Sequence, residues 1–313
     1  MKLRNLGNSG LRVSLVGLGC NNFGMKLDVE GTRKVVHKAL DLGITLFDTA
    51  DIYGNAGGSE TCLGQVLGDR RKDIVLATKF ANPMGPSDMA KGASRRYIVS
   101  AVEASLKRLQ TDWIDLYQQH VPDPLTPIDE TLRALEDLTR AGKIRYVGCS
   151  NFAAWRIVEA QWTARTAGVN GFVSCQDEYS LLARDLEKDL QPAAEAYGLG
   201  ILPYFPLASG LLTGKYRRNR ELPDGGRLTL VKRLADRYMT DANWTIVEQL
   251  AEFCEARNRS MLELAFSWLA GRPQVSSVIA GATTPEQVEQ NVQAVDWALG
   301  PEDLTEIDRI TGA

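Results

Sequence analysis

Paired cysteines and metal-binding histidines are missing from this sequence. The five cysteines are odd in number, scattered and free of any Cys-x-x-Cys motif: Cys20, Cys62, Cys149, Cys175 and Cys254. This pattern argues against both a disulfide framework and a zinc site, and it favours a reducing cytoplasm. With only two histidines and no His-x-His motif, a metal-dependent barrel hydrolase would lack ligands. We therefore expect no metal.

A dominant charge and long apolar runs are missing as well. The chain has 36 Lys and Arg against 39 Asp and Glu, a formal net charge of -3, and no basic tail or stripe. Nucleic acid and anionic membrane surfaces are therefore unlikely partners. No apolar run approaches membrane-spanning length, and the N-terminal residues have no apolar signal core. We expect a cytoplasmic protein that does not bind membranes.

Strand-like and helix-like segments alternate along the chain. A β-hairpin is expected over residues 3–14. Eight strand-like segments follow, over residues 16–19, 46–48, 74–79, 114–120, 144–150, 172–179, 200–204 and 275–280. Helical periodicity lies between them and is clearest in the helix that opens at Ser94. This βαβα order, at 313 residues, predicts an α/β fold in which a parallel sheet closes into a (β/α)8 TIM barrel.

A doubly wound sheet is the alternative fold. It usually has Gly-x-Gly-x-x-Gly after its first strand, whereas residues 17–24 read Gly-Leu-Gly-Cys-Asn-Asn-Phe-Gly. The length beyond a minimal barrel of ~250 residues lies in the hairpin, in loops near 82–93 and 205–240, and in the tail. We also expect one helix over 185–197. No repeat or linker divides the chain, so a single domain over residues 1–313 is expected.

Four side chains with proton-transfer chemistry fall near the ends of neighbouring strands. Asp48 ends the second barrel strand, Lys79 the third and His120 the fourth, while Tyr53 lies in the loop after the second. Each has a harmless explanation, since a strand-end lysine can reach water and a single histidine is often a packing residue. The carboxyl ends of barrel strands share one rim, where barrel enzymes place their active sites. The set therefore predicts a proton-transfer site.

A tyrosine is a plausible proton donor at such a site. Its ordinary pKa of ~10 is high for donation near neutrality, and a neighbouring lysine cation would lower it. Lys79 could supply that cation, Asp48 could keep Lys79 charged, and His120 could hydrogen-bond the reacting oxygen. A glycosidase would need two carboxylates beside the scissile bond, yet the fourth strand ends in Gln118-Gln119-His120.

These residues, taken as a set, resemble the aldo-keto reductase family. The motifs are Asp48-Thr49-Ala50-Asp51-Ile52-Tyr53-Gly54, Lys79 at a strand end, Asp115-Leu116-Tyr117-Gln118-Gln119-His120, and Gly148-Cys149-Ser150-Asn151-Phe152. The resemblance runs from the hairpin to the last helix. It implies that Asp48, Tyr53, Lys79 and His120 support hydride transfer between a nicotinamide cofactor and an aldehyde or ketone, with Tyr53 as general acid, or the reverse oxidation of an alcohol or sugar.

The resemblance also implies a set of cofactor contacts. Ser150, Asn151 and Gln176 would hold the carboxamide, and Tyr204 would stack on the nicotinamide. The pyrophosphate would be lined by Leu207, Ser209, Gly210, Leu212 and Lys215. The remaining cofactor contacts would come from Gly281, Thr283, Gln287 and Asn291. Ser150 and Asn151 could also cap the helix that follows. Many family members clamp the 2′-phosphate of NADPH with a cation after the last strand, but residues 281–291 contain none. NADPH is expected, with NADH possible.

A regulatory role is the competing hypothesis. The potassium-channel β subunits resemble this family and can keep all four residues, so the set does not exclude a cofactor-binding regulatory subunit. No segment that could engage a partner precedes the hairpin here, which favours an enzyme acting on a small carbonyl or alcohol substrate. The sequence does not predict the physiological substrate, the direction of reaction or the oligomeric state.

Overall fold

Ten strands form the β-structure of the described part of the chain. The computed structural model describes residues 1–312. The strands are β1 (Leu3–Asn5), β2 (Arg12–Ser14), β3 (Val16–Gly19), β4 (Leu46–Asp48), β5 (Val75–Phe80), β6 (Ile114–Gln119), β7 (Ile144–Ser150), β8 (Ser174–Glu178), β9 (Gly200–Tyr204) and β10 (Val278–Gly281). They separate into a two-stranded antiparallel hairpin and an eight-stranded parallel sheet.

The parallel sheet curls into a barrel. Its strand order is β10-β3-β4-β5-β6-β7-β8-β9. The two outer strands meet just before β10, where Ile201 bridges Val275 and the Ile201 N–H donates to the Gln274 carbonyl oxygen at 2.8 Å. The (β/α)8 TIM barrel predicted from the sequence, with its N-terminal hairpin, is confirmed.

Twelve helices accompany the strands. They are α1 (Val29–Asp41), α2 (Tyr53–Leu67), α3 (Arg95–Leu109), α4 (Ile128–Arg140), α5 (Ala154–Ala167), α6 (Leu190–Tyr197), α7 (Arg227–Leu230), α8 (Lys232–Tyr238), α9 (Asp241–Glu255), α10 (Met261–Ala270), α11 (Pro285–Gln293) and α12 (Pro301–Thr311). None of these helices is long and apolar enough to cross a membrane, a finding that covers residues 1–312.

Side-chain caps set several helix starts. The Ser94 hydroxyl accepts the Tyr97 N–H at the start of α3, as the sequence predicts. Ser260 and Glu263 form a reciprocal capping box at α10. Such caps satisfy backbone N–H groups that have no partner within the helix, so they fix where each crossover leaves its loop.

Two apolar cores hold the barrel. The larger lies between the sheet and the helices. The smaller fills the barrel interior with side chains that include Leu46, Leu116 and Leu202, and the hairpin adds Leu6 and Val13 to it. The hairpin therefore plugs the N-terminal end of the barrel and leaves the carboxyl end open.

Three stretches differ from the sequence prediction. The single helix expected over 185–197 is two pieces, a 3₁₀ turn at Asp185–Glu187 and α6, because Pro192 lacks an N–H and fits only in a first helical turn. The long loop expected over 205–240 contains a 3₁₀ segment at Ala208–Thr213, α7 and α8. The last strand begins at Val278 rather than at residue 275.

Candidate active site

A cavity of about 660 Å³ opens at the carboxyl end of the barrel. This is the rim where the sequence places its four ionisable side chains. Asp48, Tyr53 and His120 line the cavity, and Lys79 lies directly beneath them with no exposed surface. The structure therefore brings all four residues together.

An ion pair forms the floor of the cavity. Lys79 Nζ lies 2.7 Å from Asp48 Oδ2 and also donates to the Thr49 carbonyl oxygen at 2.9 Å. The other Asp48 oxygen accepts the amide N–H groups of Gln118 at 3.2 Å and Gln176 at 3.0 Å. Burial works against the charge on Lys79, but the Asp48 and Tyr53 oxygens together raise its pKa. Lys79 is therefore a fixed cation at neutral pH.

The Tyr53 ring contacts both Lys79 and His120. Lys79 Nζ is 5.0 Å from the centre of the Tyr53 ring, and the His120 ring meets that ring edge-on at 5.7 Å between centroids. Burial raises the pKa of the Tyr53 phenol, Lys79 lowers it and Asp48 raises it again, leaving it above its ordinary value. The predicted downward influence of Lys79 is present, and burial outweighs it.

His120 is held as a neutral imidazole. Burial, together with the nearby Lys79 charge, lowers its pKa to about 3. Its backbone N–H donates to the Phe80 carbonyl oxygen, and its carbonyl oxygen accepts the Asn151 side-chain amide at 3.0 Å. His120 Nδ1 is buried without a hydrogen-bond partner in the described chain. A neutral ring positioned in this way can donate a hydrogen bond to an oxygen in the cavity.

The loop that carries Tyr53 has an unusual backbone. Four successive residues after Tyr53, over 54–57, have positive φ, and two of them, Asn55 and Ala56, are not glycine. Left-handed backbone is unfavourable for residues with a Cβ, so surrounding contacts must hold the turn. At Gly57, with φ 112°, a Cβ would lie 2.6 Å from Arg108 Cδ. Arg108 is therefore packed tightly against this turn.

Three of the expected carboxamide and ring contacts form one network. The Tyr204 hydroxyl donates to Asn151 Oδ1 at 2.9 Å, and the Asn151 amide donates to Ser150 Oγ at 3.0 Å. All three line the cavity beside Gln176. The expectation that Ser150 or Asn151 caps the next helix is wrong, because α5 begins after Ala153 without a side-chain cap. Their side chains are engaged at the rim instead.

The expected pyrophosphate contacts lie in and beside the 3₁₀ segment after β9. Leu207, Ser209, Gly210 and Lys215 line the cavity, and the Ser209 hydroxyl is buried with no partner among residues 1–312. An unpaired buried hydroxyl facing a cavity suits a ligand that brings hydrogen-bonding oxygens. Leu212 does not line the cavity, since its side chain is fully buried in the apolar core.

The expected adenosine side is also present at the cavity. Gly281, Thr283, Gln287 and Asn291 line it. The Thr283 N–H and hydroxyl both donate to Gln287 Oε1, at 2.8 and 3.1 Å. These contacts lie beside the start of α11, where Thr284 caps the helix. A helix N-terminus favours a bound anion.

Sequence reasoning missed two cations at the cavity. Lys26, in the loop after β3, and Arg227, at the start of α7, line it together with Lys215. Burial and the charges of Arg227 and Lys215 lower the pKa of Lys26, so the three cations act on one another. The signal for Arg227 lay in the arginine-rich connection before residue 241, but nothing in the sequence separates Arg227 from its neighbours.

The chain also matches known proteins in sequence. The model of the aldo/keto reductase family matches residues 15–311. The chain belongs to the aldo/keto reductase family. This confirms the resemblance drawn from the motifs and supports an oxidoreductase.

The relatives of this aldo/keto reductase carry different names. An uncharacterized oxidoreductase, YrpG, from Bacillus subtilis is 39% identical over 99% of this chain and 96% of that protein. A probable voltage-gated potassium channel subunit beta from Oryza sativa is 38% identical over 99% of this chain and 96% of that protein. An L-glyceraldehyde 3-phosphate reductase from Escherichia coli K12 is 35% identical, over 99% and 92%.

Proposed function

We propose that this aldo/keto reductase reduces aldehydes or ketones to alcohols with a reduced nicotinamide cofactor, or catalyses the reverse oxidation. The observation that carries the proposal is the contact set around Tyr53. A buried lysine cation lies 5.0 Å from the centre of the phenol ring, and a neutral imidazole meets the same ring edge-on at 5.7 Å. This combination suits protonation of an oxygen in the cavity.

Each of the four residues has a task in the proposed reaction. His120, which is neutral because its pKa is about 3, donates a hydrogen bond that orients the substrate carbonyl oxygen. Tyr53 gives its proton to that oxygen as negative charge develops there. Lys79 stabilises the tyrosinate that remains, and Asp48 holds Lys79 in place through the 2.7 Å ion pair. A reduced nicotinamide held in the cavity would supply the hydride for the carbonyl carbon.

The cavity fits such a cofactor. Ser150, Asn151 and Gln176 would hold the carboxamide, Tyr204 would lie against the nicotinamide ring, and the buried hydroxyl of Ser209 would meet the pyrophosphate. Thr283, Gln287 and Asn291 would take the adenosine side. Leu212 would contribute to this site only by supporting the loop from the core.

We propose NADPH as the preferred cofactor. The cation expected after the last strand is absent, but Lys26, Lys215 and Arg227 line the same cavity. Asp48 is the one carboxylate among the described residues that line it, and it is already paired with Lys79. A phosphate dianion binds strongly where charged donors converge. Both cofactors carry the pyrophosphate that Lys215 would meet, so the preference for NADPH rests on Lys26 and Arg227 and requires one of them to reach the 2′-phosphate.

The decisive experiment follows absorbance of the reduced nicotinamide with a panel of reactive aldehydes and ketones, for the wild type and Tyr53→Phe. Loss of the acid should lower kcat by roughly 100-fold or more, while cofactor binding, measured by fluorescence, stays intact. Tyr197→Phe is a matched control, because that tyrosine bonds Trp162 on the outer helices. Equal turnover by Tyr53→Phe and the wild type would refute the assignment.

A cofactor-binding regulatory subunit is the second candidate. The observation that favours it is the 38% identity, over 99% of this chain, to a protein named as a probable potassium channel subunit beta. A defined stoichiometric complex with a channel protein, together with no turnover of any carbonyl in either direction, would support this candidate over the reductase.

A further inference from the structure

One buried acid near Tyr53 has no task in the proposed reaction. Asp51 is 1% exposed, and neither carboxylate oxygen has a hydrogen-bond partner in the part of the chain that the structure describes. The Ile52 N–H lowers the pKa of this carboxyl but does not reach hydrogen-bond geometry. Buried carboxylates are normally paired or hydrogen-bonded, so the isolation of Asp51 requires an explanation.

Several charged and titratable groups surround Asp51. The charged ones are Glu60 on α2, Arg108 on α3 and Lys79 on β5, and the phenols are Tyr97 on α3 and Tyr117 on β6. Arg108 Nε is already committed to Glu60 Oε2 at 2.7 Å. Asp51 therefore lies beside an ion pair with which it forms no hydrogen bond.

These surroundings favour the protonated carboxyl. Burial, followed by repulsion from Glu60, raises the pKa of Asp51 to about 8, although Arg108 and Lys79 pull it downward. At neutral pH most molecules therefore hold a neutral side chain here. A neutral carboxyl leaves the Glu60–Arg108 pair undisturbed.

The same residues support the strained turn that follows Tyr53. The Asp51 N–H donates to the Lys79 carbonyl oxygen at 3.1 Å, which ties the start of the loop to β5. At the other end of the turn, Arg108 packs against Gly57 while it pairs with Glu60. The conformation of the turn therefore depends on the Glu60–Arg108 ion pair, which holds the Arg108 side chain against Gly57.

We propose that Asp51 is a positioning residue whose protonated carboxyl lets the Glu60–Arg108 pair hold the Tyr53 loop, and that loss of its proton limits carbonyl reduction on the alkaline side. This inference rests on the proposed reductase function. An ionised Asp51 would compete with Glu60 for Arg108 and release the turn. It would also place a second anion near Lys79. That anion would oppose the lowering of the Tyr53 pKa by the Lys79 charge.

The test is the pH profile of kcat/KM for carbonyl reduction between pH 6 and 10. Wild type should lose activity about tenfold per pH unit above pH ~8. Asp51→Asn copies the protonated shape and should keep its activity to higher pH, until Tyr53 itself titrates. Asp177→Asn on β8 is the matched control, since burial also raises the pKa of Asp177 to about 8, and the group that acts on it is the Asn151 backbone N–H rather than Arg108. An alkaline limb that persists in Asp51→Asn, or disappears in Asp177→Asn, overturns the proposal.

Urea unfolding at the same pH values separates this inference from the proposed function. Because folded Asp51 retains a proton that the unfolded chain releases at pH ~4, the midpoint of Asp51→Asn should rise relative to wild type between pH 5 and 8 and then level off. That shift without turnover of any carbonyl would overturn the reductase function, and with it the role of Asp51 in reduction, but not the protonation of Asp51. Turnover without the shift would overturn the role of Asp51 alone.

Discussion

Replacing Asp48 with asparagine tests the ion pair beneath the cavity. The substitution keeps the size of the side chain and the contacts it accepts from Gln118 and Gln176, but it removes the charge that faces Lys79. Lys79 has no exposed surface, and its remaining partner would be the Thr49 carbonyl oxygen at 2.9 Å. The variant therefore leaves a buried ammonium without a counter-charge.

The expected loss of stability is large. Removing one member of a buried ion pair costs about 3–5 kcal/mol of unfolding free energy, because the other charge remains desolvated. The Thr49 carbonyl oxygen still accepts from the ammonium, so the lower end, about 3 kcal/mol, is expected for Asp48→Asn. Asp88→Asn is a matched control, since its partner Lys91 is at the surface, and no measurable change is expected there.

The pH dependence of this loss has a definite sign. In the wild type the pKa of Lys79 is raised, so the stability that this raised pKa contributes is complete below pH ~10.5 and is lost only as pH rises through the folded value. In Asp48→Asn, burial acts without the carboxylate and the pKa of Lys79 falls below its ordinary value. The unfolded variant then binds more protons, and its stability recovers as pH rises.

Urea unfolding at pH 6.5 and pH 9.5 measures both effects. The deficit of Asp48→Asn relative to wild type should be larger at pH 6.5 than at pH 9.5. A deficit below about 1 kcal/mol at pH 6.5, or one that grows with pH, would refute the account of Lys79 as a buried cation that depends on Asp48.

Two further variants probe the cavity and the turn. Arg227→Gln should lower kcat/KM for NADPH by about tenfold or more, the value of one charge-assisted hydrogen bond, and affect NADH less. Equal losses would contradict a contact with the 2′-phosphate, because both cofactors carry the pyrophosphate. Gly57→Ala should destabilise the fold by about 1–3 kcal/mol, because its Cβ meets Arg108. Gly142→Ala shares a positive φ but has open space, so equal losses of stability on urea unfolding would refute the clash.

The barrel and the convergence of four side chains at its rim could be predicted from the sequence for a topological reason. Parallel strands linked by helices all end on the same side of the sheet. Asp48 ends β4, Lys79 is the penultimate residue of β5 and His120 follows β6 directly. Once the strands are located in the sequence, their shared direction is enough to predict that these side chains lie close together at one rim.

The cations of the cavity could not be predicted in the same way. Arg227 reaches the cavity because the segment between β9 and α9 folds back over it, and it packs over the Phe205 ring at 5.1 Å. A second anchor joins Glu178 at the end of β8 to Arg237 and Tyr238. These contacts connect residues far apart in the sequence, and no periodicity marks them.

The desolvation energy of the buried Asp48–Lys79 ion pair is relevant to the function of the site. Buried ion pairs add little net stability, and apolar side chains of similar volume often replace them without loss. The chain contains another such pair, between Arg71 and Asp115 at 2.8 Å, but neither of those residues lines the cavity. Asp48 does line it, and Lys79 lies against the Tyr53 ring. A charge placed there contributes little net stability, and its position against Tyr53 is the one that a reaction with a tyrosine proton donor needs.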